Sequence, residues 1–275
     1  MKNRMTNIIK TATVLALPLL VALSPARGQI IYETGFEAPT FVAGLPLAGQ
    51  DGWIAPPVLS PNAAVITTAK PRLGKQTVRV LGADLVQQDF LGPLTGGYYD
   101  AIGSYRHAVD YETGGKGVVV VSARVRIDGP RTPKGKNFFS ASIATRTTLT
   151  DGSTAGTGEL ALSSDGNAYG YSGNENTPTL LAHTRAKLGE WHNLAVVVDF
   201  SNRTYSFFVD EDYLGTFAFD TNIGAGVDYT TVFKRGSLVT YAGPDTATLK
   251  KADYSSHYDH FVIQADQDSE ETEQE

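Results

Sequence analysis

Alternation at every second position constrains this chain more than any other feature. In VVVVSARVRI, Val119, Val121, Ala123, Val125 and Ile127 fall on one side of an extended backbone, and Ser122, Arg124 and Arg126 on the other. Side chains alternate across a strand, so a run of this kind buries one face and leaves the other polar. The same period recurs in FFSASIAT from Phe138, GELALSS from Gly158, NAYGYSG from Asn167, QTVRVLG from Gln76 and YDHFVIQA from Tyr258. Between these runs lie DGPRTPKGKN, TLTDGSTAGTG, SSDGNA and SGNENTP, which are rich in turn-forming residues. No helical period of useful length follows residue 28. Many short strands with frequent turns specify an all-β fold, an antiparallel two-sheet β-sandwich.

The stretch from Gly189 to Phe219 predicts a three-strand meander. His192, Leu194, Val196, Val198 and Phe200 share one face, and Tyr205, Phe207 and Val209 share the next. SNRT and DED supply the two turns, and YLGTFAF returns. Its large apolar side chains, worth roughly 1.5–3 kcal/mol each when buried, belong to a core.

Residues 1–28 read as a secretory signal peptide. Lys2, Arg4 and Lys10 precede the apolar run TATVLALPLLVAL, and SPARG offers small residues for cleavage, after Gly28 or after Ala26. The expected organisation is then one sandwich domain over 29–265 and an acidic, disordered tail, DQDSEETEQE, over 266–275. Removing the four cations of the leader takes the formal charge from −6 to about −10. That balance is poor for nucleic acid, and the apolar run is too short and too proline-broken for membrane insertion. The chain has no Cys, which excludes disulfides, a thiolate nucleophile and Cys-ligated zinc. An exported chain without Cys points to a bacterium and to a secreted, periplasmic or cell-surface location.

The meander, with its Trp-His start and its Y-x-F-x-V-D strand, resembles the laminin G-like branch of the concanavalin A-like lectin/glucanase superfamily. GFEAPTFVAGLPLAGQDGW from Gly35, LGKQTVRV from Leu73 and YDHFVI from Tyr258 are similar to the opening, early and closing strands of secreted bacterial jelly rolls. The resemblance implies two sheets of six or seven strands each, packed face to face as a jelly roll. It also implies a structural calcium that ties the first and last strands together. Glu37, the Gly74 region and Asp259 occupy the matching places, and calcium's need for carboxylate and backbone oxygens suits them. The alternative is that Glu37 and Asp259 are ordinary strand-end acids. In HYDH, His257 and Asp259 share a strand face, but a third zinc ligand is not evident.

The strand-borne arginines Arg79, Arg106, Arg124, Arg126 and Arg146 are candidates for contacts to a uronate or a sulfated glycan, because guanidinium forks pair with carboxylates. Cross-strand ion pairs with Glu112, Glu159 or Asp199 are the plainer reading. Tyr169 and Tyr171 face one way in NAYGYSG, and Tyr98, Tyr99, Tyr105 and Trp53 lie in Gly-rich surroundings. Such rings stack on sugars or simply pack. The paired-carboxylate string Glu-x-Asp-x-x-Glu of the glucanases does not occur, and neither does G-x-S-x-G. GSYRHAVDY brings Tyr105, Arg106 and His107 together as a lyase would, but alternation sends Arg106 to the opposite face. The resulting expectation is a non-catalytic protein that binds a polysaccharide on its concave sheet through Tyr105, Arg106, Arg124, Arg126, Tyr169 and Tyr171. A polysaccharide lyase or glycosidase of the same fold is the alternative, and a structural envelope or matrix protein is a third.

Overall fold

The computed structural model describes residues 28–57, 60–85, 101–133, 139–171, 179–181, 186–221, 223–243 and 251–266. The expected leader and tail lie outside these apart from Gly28 and Asp266, as do Tyr98 and Tyr99. Among the described residues fifteen strands carry the fold. One sheet contains β1 (Gln29–Thr34), β3 (Ala64–Thr67), β4 (Thr77–Leu81), β6 (Val118–Asp128), β11 (His192–Asp199), β12 (Thr204–Val209), β13 (Asp212–Ala218) and β15 (Ser255–Asp266). The other contains β2 (Trp53–Ile54), β5 (Ala101–Glu112), β7 (Phe139–Leu149), β8 (Thr154–Ser163), β9 (Ala168–Tyr171), β10 (Thr179–Leu180) and β14 (Tyr229–Ala242). Among the described residues no helix is long and apolar enough to cross a membrane.

The eight-stranded sheet runs β13-β12-β11-β6-β15-β4-β3, with β1 also paired to β15. The seven-stranded sheet runs β10-β9-β8-β7-β14-β5-β2. The alternating run of β6 behaves as its pattern demands: Val119, Val121, Ala123 and Val125 are fully buried, and the residues between them are half-buried. They face Phe139, Ala141 and Ile143 of β7 and Leu238 of β14 across the interlayer, all closed to solvent. Gly236 marks the closest approach of the layers, since a Cβ there would sit 2.7 Å from the Phe261 ring. The meander forms as expected, β11-β12-β13. Its second turn places Asp210 and Glu211 at φ 49° and 78°, the left-handed pair that a two-residue hairpin needs.

Two irregularities position everything that follows. First, β14 lies inside the seven-stranded sheet between β7 and β5, and its pairing slips between Phe233 and Arg235. Phe233 points to the core, and beyond the slip Gly236, Leu238 and Thr240 do so, leaving Arg235, Ser237, Val239 and Tyr241 on the outer face. Second, β15 changes partner on one edge. It pairs β4 through Tyr258 and β1 from Phe261 onward, with a bulge between Asp259 and Val262. His260 takes up the extra residue at φ 48°. The loop 68–76 passes over this junction.

An aromatic group joins the sheets at one end. Trp53 is fully buried and lies edge-on to Phe261, 5.1 Å between centroids, with Phe36 at 5.8 Å. His107 stacks flat on Tyr32 at 3.6 Å, and Trp53 Nε1 donates to the Tyr32 hydroxyl at 3.0 Å.

Candidate functional site

The outer face of the seven-stranded sheet has a floor of small side chains. Reading across β5, β14, β7 and β8, one row is Arg106, Ser237, Ala144 and Glu159, and the next is Ser104, Val239, Ser142 and Ala161. Ser104, Ser237, Val239, Ser142 and Ala161 are nearly closed to solvent although they point away from the core. Short side chains set the floor low, and longer ones rise around it. Arg235 and Arg146 face each other across β14 and β7, one row further along. Ile54, more than half exposed, stands opposite Arg106 at the sheet edge.

Arg106, Arg146 and Arg235 thus form a group. Among the described residues none lies within ion-pairing distance of a carboxylate. Burial, and then the charges of Arg106 and Arg146, lower the Arg235 guanidinium to about 10. Burial and Arg146 lower Arg106 as well. The three like charges repel one another. The Arg235 Nε is buried without a hydrogen-bond partner, and so is the Ser140 hydroxyl on the same face. Buried donors of this kind are satisfied by water or by a ligand.

Glu159 completes the floor. Ser142 Oγ and Tyr241 Oη both donate to its Oε1, each at 2.5 Å. Burial raises its pKa, and the two hydroxyls and the charge of Arg146 oppose the rise. A folded-state pKa above the unfolded value favours folding at low pH, and that contribution is lost as pH rises through the folded value. Glu159→Gln keeps the acceptor and removes the charge. We expect the variant to gain about 1–2 kcal/mol on the wild type at pH 8 and to match it at pH 4, read by urea unfolding at both.

The sequence-derived candidates divide between faces. Arg106 and Tyr169 belong here. Tyr169 packs on Ala161, is 7 % exposed, and donates its hydroxyl to Asp165 at 2.8 Å. Tyr171 sits opposite Glu159 in the strand register. Tyr105 is in the core, fully buried, with its hydroxyl donating to the Ser60 carbonyl, so its ring is closed to a sugar. Arg124 and Arg126 lie on the eight-stranded sheet, facing the opposite way from Arg106. Among the described residues the expected carboxylate partners of the strand arginines make hydrogen bonds to neutral groups instead. Glu159 bonds Ser142 and Tyr241, Glu112 accepts the Gly114 amide, and Asp199 pairs with Asn202. Of the five candidate strand arginines, Arg126 alone has a carboxylate among the described residues, Asp128 at 2.8 Å.

Arg235, Glu159 and Tyr241 were not among the sequence candidates for this site. The bulge shifts the phase of YTTVFKRGSLVTYA by one, so a strict period-two reading breaks at Lys234-Arg235-Gly236 and resembles a turn.

The proposed calcium ligands do converge. Asp259 Oδ2 accepts the amides of Arg72 and Leu73 at 2.9 and 2.8 Å, and Oδ1 accepts that of His260. Glu37 Oε1 accepts the amides of Lys75 and Gln76 at 2.7 and 2.9 Å. Gly74 lies between: a Cβ there would be 2.2 Å from Glu37 Oε1. Burial, and then the charge of Glu37, raise the Asp259 pKa, so the two acids repel. A cation among Glu37, Gly74 and Asp259 would relieve that repulsion, and the oxygen donors suit a hard ion. Among the described residues no three His, Asp or Glu side chains cluster to hold a metal, so backbone and water oxygens would have to complete the shell.

Solved structures share this architecture. An endo-1,3-beta-glucanase from Streptomyces sioyaensis matches with a TM-score of 0.51 at 13 % identity, over 88 % of this chain and 97 % of its own. SCLam, a non-specific endo-beta-1,3(4)-glucanase from family GH16, matches with a TM-score of 0.51 at 11 % identity, over 88 % and 93 %. The fold is the concanavalin A-like jelly roll. A sialidase matches over 78 % of this chain and 17 % of its own, with a TM-score of 0.44 and 11 % identity. No family model matches the chain, and no curated protein is similar to it in sequence. At these identities the likeness is one of jelly-roll fold, and it does not single out the laminin G-like branch.

Proposed function

We propose that this is an exported carbohydrate-binding protein whose seven-stranded sheet receives an acidic polysaccharide on its outer face. One observation carries the reading: three arginines that have no carboxylate partner among the described residues stand together over a floor of buried small side chains. Guanidinium pairs with a carboxylate or sulfate through two parallel hydrogen bonds, each charge-assisted. Exposed Ile54 beside Arg106 offers an apolar surface to the face of a sugar ring. The glucanase names of the structural neighbours agree with a glycan partner, and the arginines set the charge.

The test is binding of polygalacturonate and of laminarin, an acidic and a neutral glycan, by calorimetry. Wild type should prefer the acidic polymer and lose affinity steeply with salt. Arg146→Ala/Arg235→Ala should weaken acidic binding by about 10–100-fold, since hydrogen bonds to charged groups are worth about 1.5–3 kcal/mol. Equal affinity for both polymers, with no effect of the double variant, would refute it.

A lyase is the second reading, favoured by one contact. The Tyr241 hydroxyl meets Glu159 beside Arg146, which places a proton-transfer group near cations that neutralise a uronate. Ultraviolet absorbance from unsaturated uronate on mixing with polygalacturonate would establish it. We also propose that calcium binds at Glu37, Gly74 and Asp259 as a structural ion.

A further inference from the structure

The eight-stranded sheet also carries arginines that have no ion pair among the described residues, and they face away from those of the seven-stranded sheet. Arg79, His257 and Arg126 form one row across β4, β15 and β6. Arg124 lies one row along β6, opposite Asp259. Asp128 holds Arg126 through two hydrogen bonds, Lys70 at 2.8 Å and His257 Nε2 at 3.1 Å. Arg79 and Arg124 differ from Arg126. Among the described residues neither has an ion pair, and the Nε of each is buried without a hydrogen-bond partner. The reason for Arg124 is local: its cross-strand neighbour Asp259 turns instead to the amides of Arg72 and Leu73.

The row has two further properties. His257 is 2 % exposed, with Nδ1 buried and unpartnered, and Trp191 lies edge-on to its ring at 6.4 Å. Trp191 is half-buried and borders the row on the β11 side. Lys70, Arg79, Arg124 and Arg126 therefore outnumber Asp128, Asp259 and the neighbouring Glu37, beside a half-buried indole. In a chain of net charge −6 this is a local reversal of sign.

We infer that this face is a second site for the same class of acidic polysaccharide, so that one molecule joins two polymer strands. The inference rests on the reading of the seven-stranded face as the first site. Packed sheets lie about 10 Å apart, and their outward side chains point in opposite directions, so one stiff strand cannot occupy both sites. Two strands held back to back by each molecule make a network, and binding to a long polymer gains from effective concentration without any new contact.

A short oligogalacturonate and long polygalacturonate separate the two sites. Calorimetry with the oligosaccharide should give two sites per wild-type molecule. With the polymer, turbidity should rise to a maximum near equivalence and clear in excess of either component. Arg79→Ala/Arg124→Ala should leave one site, keep its Kd within about twofold, and abolish the turbidity. Arg79→Lys/Arg124→Lys, which preserves charge, should retain both sites and guards against a folding defect, as does an unchanged melting temperature. One wild-type site that only Arg146→Ala/Arg235→Ala removes would overturn the bridging and leave the first site standing. One wild-type site that only Arg79→Ala/Arg124→Ala removes would overturn both.

Discussion

Replacing Trp53 by alanine should lower the unfolding free energy by about 3–5 kcal/mol, the range for deleting a large aromatic from a packed interior. The size follows from what the ring holds together. Trp53 belongs to a strand of two residues at the edge of the seven-stranded sheet, paired only to β5. Its ring packs on Phe261 of the other sheet and on Phe36, and its Nε1 donates to Tyr32 of β1. Removing it leaves a cavity between layers and takes the donor from the Tyr32 hydroxyl. The check is guanidinium unfolding of Trp53→Ala and Trp53→Phe, with Phe costing about half as much. Since the chain has only two Trp, the Trp53 variants keep Trp191 as their single fluorescence reporter, and circular dichroism puts them and the wild type on one scale. A loss below about 1 kcal/mol for the alanine variant would mean that this end of the sandwich is held by something else.

The fold was legible because its period is simple. β6, β11 and β12 alternate without interruption, and the meander formed where the pattern placed it, with one register shift where β13 pairs Phe207 and Phe208. β14, an interior strand of the seven-stranded sheet, was not legible, for a physical reason: a bulge moves the inward set from Phe233 to Gly236, Leu238 and Thr240, and the slip falls on Lys234 and Arg235. The expected number of strands was close, with eight and seven found.

The site was legible in kind and not in membership. Residue type marked Arg106 and Arg146, but alternation within a strand does not say which sheet a strand joins. Arg124 and Arg126 therefore grouped with Arg106 in the sequence although they face away from it. Tyr105 shows the converse. Its own alternation put it opposite Arg106, and opposite Arg106 is the core. Glu159 was named only as an ion-pair partner of the strand arginines, because its place in the floor depends on Ser142 and Tyr241, 17 and 82 residues away. The Glu37, Gly74 and Asp259 set was different, since a resemblance in the opening and closing strands named residues that the fold does bring together.

Those residues carry the second large effect. Asp259 is fully buried and accepts three backbone amides, and Asp259→Ala orphans all three. An unsatisfied buried donor costs about 1–3 kcal/mol, so the variant should lose about 4 kcal/mol in urea unfolding. Asp259→Asn keeps a carbonyl oxygen for Arg72 and Leu73 and should lose less than half of that. The two variants also test the calcium proposal. Without a cation, burial and Glu37 hold the Asp259 pKa above its unfolded value, so its contribution weakens as pH rises through the folded value. A bound cation reverses that sign by favouring the carboxylate. Calcium should therefore raise the melting temperature of the wild type most above neutral pH and progressively less in acid, and a chelator should undo the gain. In Asp259→Asn and Glu37→Gln the response should vanish while the fold persists. A wild-type melting temperature indifferent to both calcium and chelator would leave the amide contacts as the whole role of Asp259 and end the proposal of an ion there.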